Sequence, residues 1–498
     1  MLRDHPNWRF SLDWQRAIVG GAHQGGSTRI STELGAQFGA AYALTLGVLK
    51  QMLDKEWAAG ITRPFVHGYA SQSADATWPT ESRFFDYVAD SWNDRHFPEW
   101  KHWQPLTDYW SRGTMILETG VPRTDIAIYR EGFLTTAARG TPEQDATAPA
   151  RLVDAEPLER SGYTVQFIDP LGLEDASPAI HAGRLFPEGP GYRAVILDER
   201  EIDLSTAQAL DTAASRGLAV LFVGEMPALA APPGGIVGDP RQERVIQDLL
   251  RHPNALRVPD VQSVPAALDS LGVRPQVAFD GDPVLTQWRE TSRNSYLLVY
   301  NTEHRTICTD LDVEGHWEAN EIDLWSADIR AASLSTVDGG TTRMSVDLGP
   351  LELRVFELRR AARGMLLEPR IENDSFEVVD LNSAWSLEVT TEEASGARII
   401  HLDGQGPRDW RDIAELCDVS GTGIYRIPVG CVSGAYVAVE LGELAGSATV
   451  RVDGRPYGTV YVSGGSVNVG AALAEGGLLE IEVRTPLRNA VAAVGTRL

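Results

Sequence analysis

Cysteine is scarce: three thiols in 498 residues exclude a disulfide-stapled scaffold. Cys417 and Cys431 either pair across neighbouring strands or stand as isolated thiols, and Cys308 stays free in both cases. Neither CxxC nor HExxH spacing occurs, which removes support for a structural zinc site or zincin chemistry. Basic charge is also short. Against 69 Asp and Glu there are 44 Lys and Arg, a formal net charge of −25. A surface so negative repels phosphate backbones, which argues against nucleic acid as a partner. No run of about 18 apolar residues is present, so no membrane-spanning segment is predicted. The opening MLRDHPNWRFSLDW lacks the apolar stretch of a signal peptide, which predicts a cytoplasmic chain as it stands. Neither GxGxxG nor GxxxxGKS/T opens a helix, so nucleotide binding has no support.

What is present is a globular composition, 43% hydrophobic and 23% charged, in a chain long enough for several domains. Tryptophan is abundant, with 13 copies. Trp78, Trp92, Trp100, Trp103 and Trp110 crowd into one stretch. Such rings fill cores in most proteins, but a cluster beside polar loops also suits the flat faces of sugars.

The order of patterns predicts a multidomain chain, α/β first and all-β afterwards. STRISTELGA reads as a strand ending at Glu33, AAYALTLGVLKQMLDKEWAAG as a helix stopped by Gly60, and ITRPFVHGYA as a strand ending at His67. Strand, helix, strand with polar groups at the strand ends is the unit of a (β/α) barrel or an open parallel sheet. WQPLTDYWSRGTMILETG reads as a helix stopped at Gly120. From Val121, short apolar runs (TDIAIY, YTVQFID, YRAVILD, LAVLFVG, ALRVP) alternate with helices, as in a doubly wound parallel sheet. From about Pro275 helices give way to alternating strands, first as a predicted antiparallel β-sandwich and then, beyond a linker at 360–369, as a predicted jelly roll. Asp453-Gly454 between two alternating runs marks a hairpin.

These parts, in this order, resemble glycoside hydrolase family 106, whose known members are α-L-rhamnosidases. The resemblance rests on STELGAQFGAAY and AAGITRPFVHGYA, on the passage DSWNDRHFPEWKHWQPLTDYWSRGTMILETGVPRTDIAIYREGF, and on GTGIYRIPV, VELGELAGSATVRVDGRPYGTVYV and LLEIEVRTPLRNAV near the end. It implies four domains: the C-terminal part of a catalytic (β/α)8 barrel (1–118), a flavodoxin-like α/β domain (119–274), a β-sandwich (275–362) and a galactose-binding-like jelly roll (366–498). A complete barrel needs roughly 200–250 residues, so most barrel strands are expected outside this chain, in a truncated frame or a separate polypeptide. The Trp-Pro pair usual in the family's last hairpin is missing from TVYVSGGSVNV.

Glycoside hydrolysis needs two carboxyl groups, one protonating the leaving oxygen and one acting on the opposite face. By resemblance Glu33 is one of them, although its position also suits a helix-start carboxylate. His67, Tyr69, Trp78 and Trp92 are the expected substrate-binding residues, with Asp75, Glu81, Asp90 and Asp108 as candidate partners of His67. In the last domain Asp453, Arg455 and Asn489 suit either sugar binding or hairpin and edge roles. The family's activity is associated with calcium; no DxDxDG loop offers it a specific site. The expected function is hydrolysis of terminal α-L-rhamnose by a two-carboxylate mechanism, with activity of this chain dependent on the barrel strands it lacks. The alternative is a non-catalytic carbohydrate-binding or scaffold remnant.

Overall fold

The computed structural model describes residues 8–69, 78–79, 92, 94–131, 155–230, 240–337, 340–361, 378–381, 385–404, 406–432 and 437–494. The chain is a mixed α/β protein built from several sheets. It begins with helix α1 (Trp8–Gln24) and a short strand β1 (Ser31–Leu34). Helix α2 (Leu46–Ala59) then carries the chain over to strand β2 (Arg63–Val66), which lies parallel to β1. Thr45 caps α2 by accepting the Val48 N–H at 3.2 Å, and Gly60, at φ +102°, ends it in the left-handed conformation. Helix α3 (Trp103–Leu117) follows and leads into strand β3 (Val121–Arg123).

Five parallel strands come next: β4 (Ile126–Tyr129), β5 (Val165–Ile168), β6 (Ala194–Leu197), Ala219–Val223 and Ala255–Val258. Numbered one to five along the chain, they lie in the order 2-1-3-4-5. Every residue of the first four is buried. The reason is visible in the packing, because alternate residues enter two different cores. Ala127 and Tyr129 join Leu210 and Phe222 on one face, while Ile126 and Ile128 join Leu158 and Leu268 on the other. Helices therefore cover both faces, as a parallel sheet requires. Helix α1 was not anticipated from its sequence. It packs along β5, where Gln24 donates to the Phe167 carbonyl at 2.7 Å.

Residues 277–360 form two antiparallel sheets, of four and six strands, around one apolar core. The six-stranded sheet takes β3 as its edge, pairing Trp288 with Arg123 and Glu290 with Val121. Beyond residue 385 a six-stranded antiparallel sheet is flanked by a two-stranded one. The Asp453-Gly454 turn, with φ of +48° and +77°, joins strands Ser447–Val452 and Arg455–Val460 as the sequence predicts. A further core binds these parts together: Leu49, Leu53 and Trp57 of α2 and Tyr109 of α3 share it with Leu298, Val355, Tyr461 and Val491. No helix among the described residues is long and apolar enough to cross a membrane. All three cysteines are free and exposed, so Cys417 and Cys431 do not pair.

Candidate active site

Strands β1 and β2 position the candidate carboxylate. Their register sets Glu33 beside Phe65 and Leu34 beside Val66. Leu34 and Pro64 are buried, whereas Ser31, Glu33, Arg63 and Phe65 are exposed on the alternate positions. Period-two alternation thus turns Glu33 away from the covered face. One residue past β2, the His67 N–H donates to the Leu34 carbonyl at 2.8 Å and extends the ladder. That bond sets the imidazole beside the carboxylate, with Nδ1 2.7 Å from Glu33 Oε1. Glu33 keeps 67% of its side chain exposed, while His67 keeps 12%. The histidine orients the carboxylate and leaves its outer side open.

Behind this pair lies a buried polar layer that the sequence reading missed. Thr32, next to Glu33, donates its hydroxyl to Glu56 on α2, and Gln15 on α1 donates to the other Glu56 oxygen at 3.1 Å. Burial pushes the Glu56 carboxyl up to about 7, partly opposed by the Thr32 bond and the Lys55 charge. Burial also pulls the neighbouring Lys55 down to about 8, while its ammonium donates to Ser11 at 2.7 Å. One turn earlier, Lys50 and Tyr109 both donate to Asp54, at 2.5 and 2.7 Å, in the interior. In sequence, KQMLDKEW looks like an ordinary solvated helix face. Only the packing of α1, α3 and the sandwich against α2 buries it.

The expected sugar-facing aromatics separate. Tyr69 fits an open position: it is 55% exposed, its hydroxyl donates to Asp94 at 3.1 Å, and its ring lies 5.5 Å from Trp100. A parallel bridge joins Tyr69 to Trp92, so the backbone continues the strand arrangement there. Trp92 itself is a correction. It is 2% exposed, packed edge-on to Phe97 at 4.7 Å and tilted against Trp103 at 5.1 Å, so its ring presents no face to a ligand. Trp100 and Trp103 stack on each other at 5.1 Å, and with Trp78 and Trp110 they pack half-buried against the core that holds Trp92. Trp78 turns toward the C-terminal sheets, donating its indole N–H to Glu392 at 3.3 Å. Among the described residues no hydrogen bond or ring contact joins it to Glu33.

Asp108 is half-buried on α3 and accepts from Gln104 at 2.7 Å; it does not partner His67. Asp75, Glu81 and Asp90 lie outside the described residues. In the C-terminal region the proposed sugar contacts have local roles. Asp453 accepts the Leu478 N–H, Arg455 lies over the Tyr457 ring at 5.4 Å, and Asn489 faces the Val419 carbonyl. Among the described residues no three His, Cys, Asp or Glu side chains group around a common metal position.

The family model described as alpha-L-rhamnosidase, glycoside hydrolase family 106, matches residues 7–329. The chain belongs to glycoside hydrolase family 106. The fold of a rhamnosidase from Novosphingobium sp. PP1Y overlays it with a TM-score of 0.73 at 19% identity, covering 98% of this chain and 46% of that one. The chain therefore spans about half the length of that solved rhamnosidase. A beta-galactosidase from Bacillus circulans sp. alkalophilus gives a TM-score of 0.43 at 11% identity, covering 72% of this chain and 59% of that one. A search of curated proteins returned no match.

Proposed function

We propose that the chain serves in hydrolysis of terminal α-L-rhamnosides, with Glu33 as one of two catalytic carboxyl groups and His67 as the residue that positions it. The observation that carries this reading is the 2.7 Å contact between His67 and Glu33 at the C-terminal ends of two parallel strands. Barrel enzymes gather their chemistry at those ends, and family membership supplies the reaction class. In this reading residues 1–118 are closing strands of a (β/α)8 barrel, and polypeptide outside these residues supplies its other strands and the second carboxyl. The 2-1-3-4-5 strand order supports a flavodoxin-like reading of 119–274. The later sheets support a sandwich at 275–362 and a jelly roll at 366–498. Tyr69, open and anchored by Asp94, is the aromatic placed to meet a sugar.

The wide exposure of Glu33 favours a second reading, a carbohydrate-binding remnant without turnover, because hydrolytic carboxyls work best where water is excluded. Incubation of the chain and the polypeptide that supplies the other barrel strands with p-nitrophenyl α-L-rhamnoside separates the two. Release of p-nitrophenol by the wild type, lost in Glu33→Gln, supports hydrolysis. Sugar binding without release supports the remnant.

A further inference from the structure

A cavity of about 440 Å³ whose lining includes neither Glu33 nor His67 lies where Trp78 meets three stretches of the C-terminal region. Those stretches are the turn after strand Ser386–Thr391, the segment 414–419, and the helix Arg488–Ala493. Trp78 is separated from them by more than 300 positions in sequence, yet its place is fixed. Glu392 Oε1 accepts the indole N–H at 3.3 Å and also lies 2.8 Å from His96 Nδ1. The edge of the indole is thereby pinned while the ring lines the cavity. Facing it, Arg398 donates to Glu393 Oε1 at 2.7 Å, and Ser395 donates to the other oxygen at 3.4 Å. The Arg398 backbone N–H is in turn held by the Thr391 hydroxyl.

We propose that this cavity is a second sugar-binding subsite, taking a neutral pyranose. A pyranose has an apolar C–H face and a rim of hydroxyls that both donate and accept. It therefore needs an aromatic plane bordered by fixed acceptors and donors, which Trp78, Glu393, Ser395 and Arg398 supply together. The volume falls within the roughly 300–1,000 Å³ of small-molecule sites. Charge narrows the ligand further. Glu393, Glu415 and Asp418 set three carboxylates against the single guanidinium of Arg398, which disfavours uronates and other anions. A purely apolar ligand would strip water from these groups without replacing their hydrogen bonds. The choice of a sugar rests on the hydrolase reading; the site itself does not. Neither Glu33 nor His67 lines it, which suits a sugar unit other than the one whose bond is cut.

Cys417 lines the cavity and reports on it, while Cys308, exposed on the sandwich, serves as an internal control. The whole chain is alkylated with iodoacetamide in the presence of L-rhamnose, D-galactose or D-galacturonate, and each thiol is followed by peptide mass spectrometry. A ligand covering Cys417 at ten times its Kd slows that thiol about tenfold by mass action and leaves Cys308 unchanged. Protection by a neutral sugar, lost in Trp78→Ala and in the surface variant Arg398→Ala, is the expected result. Equal protection by galacturonate, protection that survives both substitutions, or none with either neutral sugar would overturn the proposal. Protection without p-nitrophenol release once the other barrel strands are supplied upholds the subsite and defeats the hydrolase reading. Release without protection does the reverse.

Discussion

Replacing Glu99 with glutamine should make the protein more stable in alkali and change little in acid. Glu99 is fully buried between α2 and the C-terminal sheet, accepting the Leu46 N–H at 3.4 Å and a bond from Ser447. Burial pushes its carboxyl up to about 8 from an ordinary 4.5, with the Ser447 and Leu46 bonds opposing. The folded protein therefore holds a proton that the unfolded chain releases, and stability contributed by this group falls as pH rises from about 4.5 to 8. At 1.36 kcal/mol per pKa unit the ceiling is about 5 kcal/mol, and water entry leaves a few. Glutamine keeps the accepting oxygen and cannot ionise. Thermal melting of both proteins at pH 5 and pH 9 reads the effect. At about 2–4 °C per kcal/mol, the variant should melt at least about 4 °C above the wild type at pH 9 and within about 2 °C of it at pH 5. Identical pH dependence in the two proteins would refute the reasoning. Adjacent His102 works in the opposite sense: burial, chiefly, and nearby Arg484 pull it down to about 4, so its contribution falls as pH drops from 6.5 to 4.

Two further substitutions probe how the parts are joined. Gly47→Ala would normally strengthen a helix, but a methyl there would sit 1.8 Å from the Tyr461 carbonyl oxygen. It should destabilise by about 3 kcal/mol, the upper end for overpacking, seen as a lower thermal midpoint. Asp125→Ala removes a buried carboxylate that accepts from Thr164 N–H, its hydroxyl and Gln276 N–H, and pairs with Arg193 at 2.6 Å. Leaving that guanidinium short of a partner should cost about 3–5 kcal/mol in urea unfolding; an unchanged midpoint would count against the assignment.

Much of the fold was legible because strand burial writes itself into sequence. Runs such as IAIY and AVLFV are apolar throughout only because helices cover both faces of their sheet. The Asp453-Gly454 hairpin was equally plain, since both turn residues take positive φ. The places of Glu33 and His67 near the ends of two strands were legible too. Helix α1 was hidden by its Gly20-Gly21 pair, which argues against a helix. Gly20 is there because a Cβ would come within 2.6 Å of the Phe167 carbonyl, a tertiary reason. Strand β3 was hidden too: it has three residues, one a proline, and exists by pairing with a strand 165 residues away. Trp92 shows the limit of composition, because a tryptophan buried in a core and one facing a cleft look alike in sequence. Nor could the Lys50, Asp54, Lys55 and Glu56 charges be recognised as interior before their neighbours were placed.

The central claim is that Glu33 and His67 act as one unit on a rhamnoside. Its most direct test is kcat/KM for p-nitrophenyl α-L-rhamnoside, measured together with the polypeptide that supplies the other barrel strands, in four proteins: wild type, Glu33→Gln, His67→Ala and the double variant. Groups that act together are non-additive on removal. The wild type should turn over, each single change should cost about 100-fold or more, and the double variant should be no slower than the worse single one. An inactive wild type, or losses that simply multiply, would contradict the account.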